Sequence, residues 1–226
     1  MSNQYGPRIV TDGLVLHLDA ANRKSYPLSG STIYDLSGNG NNGTLQGNTS
    51  YSSQYGGSLA FDGNGDYITT TFGSGRNVYN NPISISLWVK STTGTEMMYF
   101  STGQTRNVYD LNQRLYVGLR TGSYYDFGIR SSAWSSAANP ANTNWHLITL
   151  TIDSTAAKLY INDNHTITKS VNSTYVLNDN VWVGCHNSGT DLPLNGSTGP
   201  FQIYTKALSA DEVQQNYNAL KGRFGL

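Results

Sequence analysis

From Ile83 to Lys90 the chain alternates strictly. Ile83, Ile85, Leu87 and Val89 fall on one side; Ser84, Ser86, Trp88 and Lys90 fall on the other. A period of two marks a β-strand with one face on a core. The same period runs through Leu14 to Asp19 (LVLHLD), Trp145 to Asp153 (WHLITLTID) and Lys158 to Asn162 (KLYIN). The last two predict a hairpin with Asp153-Ser154-Thr155 in its turn. Val181 to Gly184 (VWVG) is a further short strand. Between Met97 and Ala138, the stretches YFSTG, RLYVGLR and YYDFGIR predict three more. Ser58 to Thr71 (SLAFDGNGDYITTT) predicts a hairpin with its tip at Gly63-Asn64-Gly65, and Asp35 to Thr44 (DLSGNGNNGT) reads as turn.

The chain closes on a strand running into a helix. Phe201 and Ile203 alternate with Gln202 and Tyr204, which predicts a half-buried last strand. Ser209 and Glu212 have capping-box spacing, and Leu208 and Val213 flank them as a hydrophobic staple. Val213, Tyr217 and Leu220 make one apolar stripe, and Gly222 is the expected stop, giving a helix over 209–221. Strands and turns alternate through the rest of the 226 residues, with residues 1–12 as an N-terminal arm and no linker or repeat. This pattern predicts one all-β domain built as a two-sheet sandwich.

Composition narrows the chemistry. Only 12% of residues are charged, and 14 Lys+Arg balance 14 Asp+Glu, so nothing in the charge attracts nucleic acid. No apolar run approaches the ~20 residues of a membrane span, and MSNQYGPRIV lacks the regions of a signal peptide. The chain thus reads as a complete product without membrane insertion. Cys185 is the one cysteine, which excludes an internal disulfide. Its neighbour His186 points to the opposite side of a strand, so the pair does not suit a Cys-His catalyst and Cys185 reads as a buried thiol. The four His are scattered and no Ser lies in a Gly-x-Ser-x-Gly elbow.

Sugar binding needs flat aromatic faces beside amides and carboxylates. Tyr124, Tyr125 and Asp126 follow a Gly-Ser turn, Trp134 falls in the small-residue stretch Ser131 to Pro140, which reads as loop, and Tyr109 and Asn112 fall on another expected loop. These six are the glycan candidates, each weighed against ordinary strand composition. Trp88, Trp145 and Trp182 read as packing residues of strands. Asp62, Asn64 and Asp66 have the D-x-N-x-D opening of a calcium loop, but Tyr67 stands at position six and Gly73 at position twelve. A turn whose Asp side chains bond their own backbone is the favoured reading there.

Several blocks resemble laminin-G-like domains in order and spacing: SLAFDGNGDYI, ISISLWVK, NWHLITLTID with KLYIND, VWVGCHNSG and FQIYTKALSADEV. The resemblance covers nearly the whole chain and implies a concanavalin A-like jelly roll with a short helix packed outside. Many relatives carry an Asp before the last strand; here the segment is Gly196 to Phe201, which argues against calcium as a cofactor. The glucanases sharing this sandwich use a motif of the form E-x-D-x-x-E, whereas this chain has only Glu96 and Glu212. VTDGLVLHLDAANRKSY, DLSGNGNNGTL and NYNALKGRFGL look like laminin-G-like proteins of tailed bacteriophages, marine ones above all. That resemblance implies a non-enzymatic protein of the virion surface (a capsid decoration, fibre or tail-associated adhesin) assembled in the host cytoplasm. Its partners would be other virion proteins, host-surface polysaccharide and further copies of itself. A soluble lectin-like module and a polysaccharide hydrolase stand as the alternatives.

Overall fold

The structure is a computed structural model that describes residues 7–70, 72, 76–77, 81–92, 95–102, 115–120, 124–129, 132–140, 143–171, 176–177, 181–186 and 191–226. Its first strands are β1 (Leu14–Leu18), β2 (Thr32–Ile33), β3 (Gly43–Gln46), β4 (Ser50–Ser52), β5 (Ser58–Asp62) and β6 (Tyr67–Thr70). The middle holds β7 (Arg76–Asn77), β8 (Ile83–Ser91), β9 (Met97–Thr102), β10 (Leu115–Arg120), β11 (Tyr124–Ile129) and β12 (Ser132–Pro140). Then follow β13 (His146–Ile152), β14 (Ala156–Ile161), β15 (Asn164–Ser170), β16 (Val176–Leu177), β17 (Val181–Val183) and β18 (Asn195–Tyr204). Helix α1 (Ala210–Leu220) and a 3₁₀ turn, Lys221–Phe224, close the chain.

Two antiparallel sheets carry the fold. The first has the order β15-β14-β13-β8-β18-β5-β4, with β1 also on β18; the second runs β12-β11-β10-β9-β17-β6-β3-β2. Their inner faces meet in one core, to which Ile85, Leu150 and Phe201 contribute from one side and Phe100, Val117 and Phe127 from the other. Burying each such side chain stabilises the fold by roughly 1.5–3 kcal/mol. Among the described residues, no helix is long and apolar enough to cross a membrane.

The expected hairpin over Ser58 to Thr71 does not form. β5 lies in the first sheet and β6 in the second. Leu59, Phe61 and Ile68 point into one core from opposite sides, an arrangement with the same alternation as a hairpin. Gly63 and Gly65, with φ of 83° and 77°, turn the corner between sheets. Asp66 holds that corner: its Oδ2 accepts the Asp62 amide at 2.9 Å and its Oδ1 the Asn48 amide at 2.5 Å. The β13–β14 hairpin does form, and Asp153 Oδ1 accepts the Thr155 and Ala156 amides in its turn.

The last strand is longer and more buried than its alternation predicts. β18 begins at Asn195, so the segment read as preceding it is its first half. β8 runs along one side; β5 pairs the first half of the other side and β1 the second. The register with β8 slips between Thr198 and Phe201, at Gly199-Pro200. A bulge suits Pro200, which has no N–H for a ladder. Gln202 and Tyr204, expected to face solvent, are both buried, because the C-terminal helix covers that face.

The sheet's outer polar residues grip the covering chain. Ser84 Oγ donates to Lys206 O and accepts the Leu208 amide, both at 2.8 Å. Ser209 caps α1 in a capping box with Glu212, and Leu208 packs with Val213 as the staple predicts. Buried Asn216, outside the predicted stripe, donates to Tyr204 OH at 3.1 Å and accepts the Val10 amide at 2.7 Å. The N-terminal arm is thereby tied to the helix.

The α-helix ends at Leu220, within the expected span, but Gly222 is not what stops it. The chain continues as the 3₁₀ turn and breaks at Gly225, whose φ of 77° is left-handed. The extra turn carries Phe224 between Trp88 and Trp145, with ring centroids at 4.3 and 4.5 Å. Gly199 makes room for it: a Cβ there would lie 2.7 Å from Phe224 Cζ and 3.0 Å from Trp88 Cβ. Arg223 anchors the same turn. Its Nη1 donates to both Asp19 oxygens at 2.9 and 3.0 Å, its Nε to Tyr55 O at 2.7 Å, and its Nη2 to Gly57 O.

Ser132–Pro140, expected as loop, is β12, an edge strand laid on β11 with Phe127 opposite Trp134. Its Ser, Ala and Asn residues lack alternation, and the ladder with β11 supplies what propensity does not. Cys185 is fully buried, and its carbonyl accepts Ser101 Oγ at 3.0 Å. His17 lies beside Asp19 and Asp35, yet burial outweighs those charges and lowers its pKa below 6.5, with Arg223 acting the same way. Burial also lowers His146, against a hydrogen bond from Asn162.

Two outcomes follow from this packing. Arg223→Ala leaves Asp19 and two carbonyls without their donor, so urea unfolding shows a loss of about 2–4 kcal/mol. For His17 and His146, the unfolded chain takes up protons at higher pH than the folded one. Stability is therefore full above the ordinary value of 6.5 and falls as pH drops below it. Thermal melts should give a flat midpoint from pH 8 to 7 and a decline from about 6.5 to 5 that His17→Gln makes shallower.

Candidate functional site

At one end of the first sheet, where β5 and β8 finish and β18 starts, lies an open pocket of about 180 Å³. Lys90, Thr92, Thr143, Asn195 and Ser197 line it, over Phe61. The sheet's register creates it. Ser197 pairs with Lys90 on one side and Ala60 on the other, and Gly196 lets the strands close up, since a Cβ there would lie 2.2 Å from Lys90 O. Thr92 ties the rim, its amide and hydroxyl donating to Asn195 O at 3.0 and 3.3 Å. Behind it, Ser91 Oγ and Tyr99 OH are 3.0 Å apart, and burial pushes the Tyr99 hydroxyl up to about 12 despite that bond.

Lys90 lies 5.7 Å from the centroid of the Tyr55 ring. Tyr55 in turn meets Trp145 edge-on at 5.3 Å. The residues lining the pocket carry hydroxyl, carboxamide and ammonium groups near an aromatic cluster, side-chain types able to hydrogen-bond a polyhydroxylated ligand. Its size lies below the roughly 300–1,000 Å³ of drug-sized sites, so it suits a small group. Among the described residues that line it there is no carboxylate.

The glycan candidates lie elsewhere. Tyr109 and Asn112 fall outside the described residues. Trp134 is part of β12 and not of a loop. Tyr124 is exposed on β11. Tyr125 is a correction: it is 1% exposed and packs in the core, because β11 turns Tyr125, Phe127 and Ile129 inward. Burial, together with Tyr99 alongside, pushes its hydroxyl well above the usual range. Asp126 is buried on the opposite face, where its Oδ2 accepts Tyr116 OH at 3.3 Å.

The calcium candidates bond the backbone of their own corner. Both Asp66 oxygens accept backbone amides, and Asp62 Oδ1 accepts the Asn64 amide at 2.7 Å. Among the described residues, no group of three or more His, Cys, Asp and Glu is placed to hold a metal ion. Glu212 is committed to Lys206 at 2.7 Å and to the Ser209 amide at 3.0 Å. Burial works against its charge, but those bonds win and hold its carboxyl below the ordinary 4.5.

Sequence reasoning passed over the pocket residues. The one signal available was Lys90, a charge ending the most regular strand in the chain. Thr143, Asn195 and Ser197 carry no motif, and only the sheet register gathers them.

The model of the concanavalin A-like lectin/glucanases superfamily, Laminin_G_3, matches residues 62–214. No curated protein matches the chain. Among solved structures, the binding domain of Paraclostridial mosquitocidal protein 1 aligns with a TM-score of 0.71 at 18% identity, over 92% of this chain and 52% of that one. The receptor-binding domain of botulinum neurotoxin D gives 0.69 at 16% identity, covering 92% and 52%. The serotype D ligand-binding domain in complex with N-acetylneuraminic acid gives 0.69 at 17% identity, covering 92% and 51%. This chain spans about half the length of those toxin domains, and at such identities the likeness is one of fold. The family match covers more than half of the chain and reaches from the corner between the sheets into the C-terminal helix: the chain belongs to the concanavalin A-like lectin/glucanases superfamily.

Proposed function

We propose that this chain is a non-enzymatic carbohydrate-binding protein of a tailed-bacteriophage particle, displayed on the virion surface and holding a host-surface glycan at the Lys90 pocket. The pocket carries the reading: Thr92, Thr143, Ser197, Asn195 and Lys90, with hydroxyl, amide and amine groups, line it where two strands end. The toxin neighbours are binding domains, and one of them, about twice the length of this chain, is in complex with N-acetylneuraminic acid, which supports a binding role for the fold they share. The virion role rests on the resemblance of the chain's two ends and its DLSGNGNNGTL turn to phage proteins. Repeated copies on a particle would add avidity to a site this small.

The alternatives fit the geometry less well. Glycoside hydrolysis needs two carboxylates roughly 5–9.5 Å apart across the bond, and the pocket's described lining has none. A calcium-dependent lectin needs carboxylate oxygens that here are spent on amides.

A glycan array should give saccharide binding that the double change Asn195→Ala, Ser197→Ala weakens about tenfold or more, with the melting midpoint nearly unchanged. Chelation with EDTA should leave that binding intact. Mass spectrometry of purified source-virus particles should find the chain at stoichiometric copy number, and its absence from them would remove the virion role.

A further inference from the structure

Resting on the glycan reading, we infer that the sugar held by this pocket is acidic, with its carboxylate or sulfate oxygens on Lys90 Nζ. Lys90 is the one charged side chain among the described lining residues. Its neighbours in the pocket are neutral: Thr92, Thr143, Asn195 and Ser197. Two other cations on this side of the sandwich have counter-ions, while Lys221 meets the Tyr217 ring at 5.3 Å and lines no part of the pocket. Lys206 bridges Asp12 and Glu212, both at 2.7 Å, and Arg223 holds Asp19 at 2.9 Å. Lys90 has no ion pair among the described residues and meets the Tyr55 ring instead. The nearby acid in the register is Asp62, opposite Asn195, and it bonds its own turn through Asn64.

A neutral sugar seated there would displace water from the ammonium without supplying an anion. An acidic sugar forms a charge-assisted hydrogen bond of roughly 2.7–2.9 Å, about twice as strong as a neutral one. Its remaining hydroxyls face the pocket's alcohols and amide. The chain's net charge is zero, so a preference for acidic ligands cannot come from the overall field and must be local.

The test uses calorimetry on matched pairs: galacturonate, glucuronate and mannuronate oligosaccharides against their carboxyl-reduced forms, and a sulfated galactan against its desulfated form. Lys90→Met keeps an unbranched apolar side chain there and removes the charge. Lys24→Met, at an exposed lysine that does not line the pocket, is the control for net charge. The acidic member of at least one pair should bind about tenfold tighter (about 1.4 kcal/mol). That preference should vanish in Lys90→Met, survive in Lys24→Met and shrink with added salt. The carboxylate and sulfate arms tell which anion is taken. Equal affinity within every pair, or a preference that Lys90→Met retains, overturns the acidic-ligand inference and leaves glycan binding standing. Binding to no saccharide, acidic or neutral, overturns both.

Discussion

The slip in β18 at Gly199-Pro200 is the constraint on which the rest of the structure depends. A single strand must pair with β5 over its first half and β1 over its second, while β8 spans both. The slip lets the two halves keep separate registers. It also places a residue without a side chain where Phe224 must sit against Trp88. The first half then frames the pocket, and the second gives the helix Tyr204 to bind. Core packing, the attachment of the helix and the rim of the pocket thus meet in ten residues.

The outer face of the first sheet is covered by a thin layer, and that layer is polar where it touches the strands. Ser84 bonds the chain entering the helix, Asn216 joins the helix to Tyr204 and to the arm, and Arg223 locks the final turn. Hydrophobic burial alone would not fix the orientation of an eleven-residue helix. Directional bonds to buried partners do, and each becomes costly to leave unmade. The aromatic cluster around Phe224 supplies the apolar share of the same attachment.

Much of the fold was legible because alternation, capping and turn residues are local signals. The Ser209–Glu212 box, the staple and the β13–β14 hairpin all appear where the residues place them. What was not legible is pairing. Leu59, Phe61 and Ile68 alternate identically whether their strands are neighbours or face each other across a core, so a corner passed for a hairpin. β12 was missed because Ser and Ala carry no period. Tyr125 passed for a surface aromatic because a strand with two adjacent tyrosines does not show which one turns inward. The pocket was hidden for a related reason: its residues come from four distant stretches, and the register of β18 brings those of β5 and β8 together.

The single cysteine has a consequence of its own. Cys185 is shut inside the fold next to Ser101, two residues past β17, which joins β6 to β9 at the middle of the second sheet. A thiol reagent in solution can reach it only when that part of the molecule opens. With no other sulfhydryl in the chain, the labelling rate reports one opening event. The protein therefore carries a native clock for the breathing of its second sheet, on the face opposite the helix, readable without introducing any probe.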